Sequence, residues 1–208
     1  MIRVGIADDE DLVRNGIAAL VGQLSGMAVV ATVASAHEAI ELADSGAVDV
    51  LLLDIQLGDR GGLDALEAMT ARGCSVAVVV VSSHAEEEYA VRALRAGAAG
   101  YLRKASGSAG LEAAIRMAAS GQRYISPEVA AVLADFVQEG PAEPHQRLSN
   151  REYQVFVLLA LGRSVSEIAR ELNLAVSSVS TYRRRILEKL ELPSTAAVIR
   201  YAVTHQLV

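Results

Sequence analysis

Five short runs of β-branched and aliphatic residues, Ile2–Ala7, Val29–Val33, Val48–Leu53, Val76–Val81 and Gly100–Leu102, alternate with amphipathic stretches at about 11–24, 36–45, 62–71, 86–96 and 108–120. So regular an alternation of strand and helix leaves few folds open. Successive strands joined through a helix run parallel with right-handed crossovers, and each face of the sheet then needs its own helical layer. Local signals agree. Gly46, Gly73, Gly97 and Gly121 each follow a helical stretch, where a left-handed residue closes the helix. Ser35 with Glu38 forms a capping box. Residues 1–120 are therefore predicted to form a five-stranded, doubly wound parallel α/β domain.

Beyond it, residues 121–147 hold one short helical pattern, about Pro127–Gln138. The stretch Gly140-Pro-Ala-Glu-Pro-His that follows cannot continue a helix and reads as a linker. From Leu148 the character is all-helical. Ser149 with Glu152 opens one helix, Gly162 ends it, and Ser164 with Glu167 opens the next. A third runs from about Val176 to Leu190, and Pro193 with Ser194 starts a fourth. The 208 residues thus divide into a domain at 1–120, a linker at 121–147 and an all-α four-helix domain at 148–208. Charge divides the same way. Residues 1–120 carry 9 Lys and Arg against 16 Asp and Glu, and residues 148–208 carry 8 against 5, so the two ends suit different partners. The apolar runs fall far short of the ~20 residues that span a bilayer. No basic-then-apolar leader opens the chain, and a single cysteine suits a reducing compartment. A cytoplasmic location without membrane association is expected, with Cys74 a small apolar residue beside a strand.

In parallel sheets of this kind, ligands bind at the carboxyl ends of the strands. Those ends carry Asp8 and Asp9 after the first strand, Asp54 after the third, Ser82 after the fourth and Lys104 just beyond the fifth. Each has a plain alternative: a strand-end Asp often caps the next helix, a Ser serves a turn, and a Lys is solvated. Together they make a chemistry. Carboxylates crowded at one place repel unless a hard divalent cation joins them, and oxygen ligands with open positions suit Mg²⁺, which also binds phosphoryl oxygens. A carboxylate beside that ion can attack a phosphoryl donor, with a lysine offsetting the developing charge.

Over residues 1–120 the chain resembles the receiver domain of two-component response regulators. The resemblance rests on I-A-D-D-E, V-D-V-L-L-L-D-I and E-E-E-Y-A-V-R-A-L-R-A-G-A-A-G-Y-L-R-K and on their spacing. It implies a flavodoxin-like fold in which Asp54 takes a phosphoryl group from a cognate sensor histidine kinase. Asp8 and Asp9 would form the acidic pair. Mg²⁺ would be held by Asp9, Asp54 and the Gln56 main-chain carbonyl, and by Asp8 indirectly. Ser82 and Tyr101 would be the switch pair and Lys104 the phosphate-binding lysine. The chain departs from the family after the phosphorylated Asp, where Leu57-Gly58-Asp59 replaces a Met-Pro-Gly type of loop and Gly frees a backbone that Pro would fix. Gln56 and His84 occupy the positions where the family tunes water access. A receiver acting without phosphorylation is the alternative that Gly58 keeps open.

In the tail, Glu167–Leu190 reads as a helix, a short turn and a longer helix. Ile168, Ala169, Leu172, Val179, Ile186, Leu187 and Leu190 form its buried set. Ser177, Ser178, Ser180, Thr181, Arg183, Arg184 and Lys189 remain outside it, as hydroxyls and cations suited to phosphates and base edges. Residues 148–208 resemble the LuxR-type helix-turn-helix domain of the NarL/FixJ response regulators through Leu148-Ser-x-Arg-Glu, Glu167-Ile-Ala, Ser178-Val179 and Ile186-Leu-x-Lys-Leu. Ala175, Ser178, Ser180 and Tyr182 depart from the residues usual there. The resemblance implies promoter DNA as a partner and a homodimer built through the last helix, with Val198, Ile199 and Ala202 at the contact. Two enzyme and carrier classes are excluded. A haloacid-dehalogenase-like phosphatase needs D-x-D after the first strand and a cap insertion, and a flavodoxin-like carrier needs a phosphate loop where Asp8-Asp9-Glu10-Asp11 would repel the phosphate.

Overall fold

The computed structural model describes residues 1–57, 61–83, 87–126, 129–130 and 143–208. Gly58, Asp59, His84 and all but residues 129–130 of the helix expected near 127–138 lie outside them. Two compact units divide the chain, Met1–Ala134 and Asp135–Val208.

The first unit is a five-stranded parallel sheet of order β2-β1-β3-β4-β5, from β1 (Ile2–Ala7), β2 (Met27–Val33), β3 (Val50–Asp54), β4 (Ala77–Ser82) and β5 (Gly100–Arg103). Helices α1 (Asp11–Gly22), α2 (Ala36–Asp44), α3 (Gly62–Arg72), α4 (Glu87–Arg95) and α5 (Gly107–Ala119) fill the crossovers. Strand side chains alternate between faces. Val4, Ile6, Val50, Leu52, Val79, Val81 and Leu102 pack with Val21 of α1 and Leu111 and Ile115 of α5 in one core cluster. The alternate residues Leu51, Leu53, Val78 and Val80 are as deeply buried. Such two-faced burial is why these strands read as continuous apolar runs. The four stop glycines all take positive φ. Ser35 caps α2 by accepting the Glu38 N–H, and Glu38 reaches back to the Ala34 N–H.

Cys74 departs from expectation. Its Sγ lies 2.9 Å from Asp44 Oδ1, while Arg72 Nη1 sits 2.7 Å from the other carboxylate oxygen. The thiol is thus a polar partner in a surface cluster, and burial followed by the Asp44 contact pushes its pKa up.

The chain does not leave the sheet at the end of α5. Tyr124 N–H donates to Ala99 O at 2.8 Å, and Tyr124 bridges Gly100 in parallel register on the outer side of β5. Glycine eases the fit: a Cβ on Gly100 would lie 3.0 Å from Tyr124 Cβ and 3.1 Å from its carbonyl oxygen, so Tyr124 would have to give by a few tenths of an ångström.

The second unit contains α6 (Asn150–Ala160), α7 (Val165–Glu171), α8 (Val176–Lys189) and α9 (Thr195–Thr204), preceded by a 3-10 turn at Pro144–Arg147. Both anticipated capping boxes form, at Ser149/Glu152 and Ser164/Glu167. Phe156, Ile168, Val179, Ile186 and Val198 are fully buried. Leu187, expected in that core, is half-buried and lines a shallow groove with Leu192 and Pro193. Two of the residues expected at a dimer contact are also core residues: Val198 and Ala202 are 0% exposed. The four-helix core is larger than the apolar pattern suggested, and on that helix Ile199 and Val203 are the exposed large apolar residues.

Candidate functional site

The strand register builds the acidic pocket. In the order β2-β1-β3-β4 the chain leaves β1 towards β2 on one side and leaves β3 towards β4 on the other, so a crevice opens at the carboxyl ends of β1 and β3. Ala7 pairs with Leu53, which brings the next residues, Asp8 and Asp54, side by side. Asp8, Asp9 and Asp54 each place a carboxylate oxygen within 4.8 Å of the others. Asp8 and Asp54 are buried and Asp9 is exposed. Lys104 Nζ lies 2.8 Å from Asp8 Oδ2 and 3.0 Å from Asp54 Oδ2, so one ammonium faces both buried acids. Burial raises the Asp54 carboxyl to about 6, with Asp8 adding to the effect and Lys104 and the Gln56 N–H opposing it. Burial pulls Lys104 down, but Asp54 and Asp8 outweigh it and leave the lysine raised. Among the described residues the pocket sets three carboxylates, Asp8, Asp9 and Asp54, against the one Lys104 ammonium. An all-oxygen donor set, largely buried and short of positive charge, fits a hard divalent cation.

Ser82 ends β4 and is fully buried, next to the strand that carries Asp54. Tyr101, on β5, is also buried. Two further residues shape the pocket. Gly62 packs against the Asp54 backbone so closely that a Cβ would sit 1.7 Å from the Asp54 carbonyl oxygen. Arg14 Nη1 donates to the Asp8 carbonyl at 2.7 Å while its Nη2 pairs with Asp11. A glycine pair at a helix start and an arginine one turn into a helix carry no spacing signal, so neither was legible as part of the site.

In the second unit, α7, the turn at Asn173 and α8 form the helix-turn-helix. Asn173 takes the left-handed conformation at φ 51°, and the Leu174 N–H closes on Ala169 O at 2.7 Å. Arg151, buried in α6, donates to the Leu172 carbonyl at 3.1 Å and so ties that turn to the core. Ala175 gives α8 no side-chain cap. Ser178 N–H bonds the Ala175 carbonyl at 3.0 Å, and the exposed Val176 and Ser177 open a helix start where an anion is favoured. Ser177, Ser180, Thr181, Arg183 and Arg184 are exposed, Ser178 is half-buried, and Arg184 makes a 3.2 Å pair with Glu188. The Ser180 and Thr181 hydroxyls also donate to Val176 and Ser177 carbonyls one turn back, at 3.0 Å each.

Lys189, expected among the DNA contacts, has a partner within its own unit. Its Nζ lies 2.6 Å from Glu152 Oε2, and Glu152 is 3% exposed. Burial alone would raise Glu152, but Lys189 and the Ser149 backbone hold it below the usual range. Its contribution is thus present above the ordinary Glu value and lost as pH falls. Lys189→Met should cost the second unit about 1–3 kcal/mol at pH 7.5, because a buried carboxylate loses a partner. The salt dependence of DNA binding should stay as in the wild type. Urea denaturation with DNA titrations at two salt concentrations checks both, and wild-type stability with a shallower salt slope would return Lys189 to the DNA contacts.

Residues 4–116 match the response regulator receiver domain, and residues 146–202 match the bacterial regulatory proteins of the luxR family. The chain is 38% identical to the response regulator GacA of Pseudomonas syringae pv. syringae, covering 100% of this chain and 98% of that protein. It is 33% identical to the response regulator UvrY of Escherichia coli K12, covering 100% and 96%. Among solved structures, RcsB from Salmonella enterica serovar Typhimurium, bound to promoter rprA in the presence of the phosphomimetic BeF3-, superposes with a TM-score of 0.65 at 23% identity. That match covers 96% of this chain and 97% of RcsB.

Proposed function

Because the chain belongs to the two-component response regulators that join a receiver to a LuxR-type DNA-binding domain, we propose that Asp54 is its phosphorylation site and that phosphorylation governs promoter binding by α8. The observation that carries this is the meeting of Asp8, Asp9, Asp54 and Lys104 at the ends of β1, β3 and β5. A carboxylate oxygen of Asp54 attacks the phosphorus of a phosphohistidine on a sensor kinase. The O–P bond forms, the P–N bond breaks, and the electron pair leaves on the imidazole. Lys104 Nζ, already on Asp54, meets the charge of the arriving phosphoryl oxygens. Asp9, Asp54 and the Gln56 main-chain carbonyl would hold Mg²⁺, with Asp8 acting indirectly. When bound, the ion offsets charge on the transferring group. Ser82, one strand over, supplies the hydroxyl for the acyl phosphate, and Tyr101 is the aromatic that responds.

In the tail, Ser177, Ser178, Ser180, Thr181, Arg183 and Arg184 face promoter DNA. The uncapped start of α8 favours a backbone phosphate. A homodimer through α9 would use Ile199 and Val203 in place of the buried Val198 and Ala202. No helix among the described residues is long and apolar enough to cross a membrane, and we place the protein in the cytoplasm with its kinase and its promoter.

Beryllofluoride with Mg²⁺ should raise operator affinity and self-association together in the wild type. Arg184→Ala should cost about 1–3 kcal/mol of operator binding and relax one base position. Each phosphate contact contributes roughly −0.9 to the log–log salt slope. Equal operator affinity with and without beryllofluoride would favour a regulator that acts independently of phosphorylation.

A further inference from the structure

We infer that Arg14 is a positioning residue for the cation pocket: by gripping the Asp8 carbonyl and the Asp11 carboxylate together, it fixes the turn that presents Asp9. This rests on the reading above that the pocket binds Mg²⁺. Arg14 lies one turn into α1, where its own N–H makes a 2.9 Å bond to Glu10 O. Helical side chains lean towards the N-terminus, so the guanidinium lies back over the turn between Asp8 and Asp11. Nη1 meets Asp8 O at 2.7 Å, Nη2 meets Asp11 Oδ1, and the side chain is 15% exposed.

The bond to a carbonyl matters because the peptide is planar. Asp8 O and Asp9 N belong to one rigid plane, so holding the oxygen sets the direction from which the Asp9 chain departs. The Asp8 carboxylate has anchors of its own in the Glu10 N–H at 2.9 Å and Lys104 Nζ at 2.8 Å. Asp9, the exposed member of the triad, is the residue that departs directly from that plane. A planar fork reaches two acceptors at fixed angles, whereas a lysine offers one point charge.

Electrostatics and geometry pull in opposite directions here. Removing Arg14 takes a positive charge from beside a cation site and leaves Asp11 unneutralised, and both changes would tighten Mg²⁺ binding. Loss of positioning would weaken it. The sign of the change therefore separates the two.

The test is calorimetric titration of the full-length protein with Mg²⁺, for wild type, Arg14→Met and Arg14→Lys, beside thermal denaturation in EDTA. Arg14→Met should weaken Mg²⁺ binding about tenfold, the scale typical when a group that orients a metal ligand is lost. The lysine variant should fall between it and the wild type. Metal-free stability should change little. Phosphorylation by acetyl phosphate should need more Mg²⁺ to reach half its maximal rate yet recover at saturation, a split that general loosening of the fold would not give. Unchanged or tighter binding in Arg14→Met overturns the inference. If that variant fails to fold, wild-type Mg²⁺ affinity in Arg14→Lys overturns it equally. A wild type that takes up no Mg²⁺ overturns the metal-site reading itself, an outcome distinct from variants that match a binding wild type.

Discussion

Asp54→Asn should accept no phosphoryl group from acetyl phosphate with Mg²⁺, and should make the metal-free receiver more stable at neutral pH. The first effect follows from removing the proposed nucleophile, since an amide oxygen holds too little charge to attack phosphorus. The second follows from burial. The Asp54 carboxyl stands at about 6 because burial disfavours its anion and Asp8 repels it, more than Lys104 attracts it. The folded state thus holds this proton more tightly than the unfolded chain does, so ionisation destabilises the fold. That cost is absent below about pH 4, grows as pH rises through 6 and is complete above it. Asparagine resembles the neutral acid and escapes the cost, a gain of about 2–3 kcal/mol at pH 7.5 that should vanish near pH 4. Urea denaturation in EDTA at the two pH values measures it. An equal gain at both would show that ionisation of Asp54 is not its source. Added Mg²⁺ should then stabilise the wild type and leave the variant nearly unmoved, because only a binding-competent fold gains from the ligand.

Gly62→Ala should be the most damaging single methyl in the receiver. The new carbon would stand 1.7 Å from the Asp54 carbonyl oxygen, 2.8 Å from its carbonyl carbon and 3.1 Å from Ile55 Cα. All three are backbone atoms, so no side chain can swing aside, and the Gly62 N–H is already bonded to Ile55 O at 2.7 Å. A cost of at least about 3 kcal/mol is expected, at the upper end for overpacking, with loss of phosphorylation because the displaced backbone belongs to Asp54. Gly73→Ala is the comparison. It sits at φ +72° with open space around it, so only the left-handed backbone is penalised, at about 1 kcal/mol. Urea denaturation of the two variants side by side measures this, and equal costs would mean that the loop has room.

What the sequence shows and what it hides follow one physical line. Strand alternation, stop glycines and capping boxes are local, so all five strands and the helices among the described residues can be read from spacing alone. Asp8, Asp9, Asp54, Ser82 and Lys104 are readable as a group because parallel strands deliver their carboxyl ends to one edge. Contacts between distant segments are silent. Glu152 is legible as half of a capping box with Ser149, but not as the buried partner of Lys189, which lies on another helix. Val198 and Ala202 look like surplus apolar surface until the packing of α6 against α9 uses them. Arg14 reads as one more charge on an amphipathic helix.

The short pairing of Tyr124 with Gly100 bears on how such proteins trade parts. Cut at the last turn of α5, the receiver would lose the backbone that shields β5, and a bare edge strand invites pairing with other chains. A graft of this receiver onto a foreign output domain therefore needs its seam beyond Ile125. Any exchange of output domains by recombination would meet the same tax on seams placed earlier.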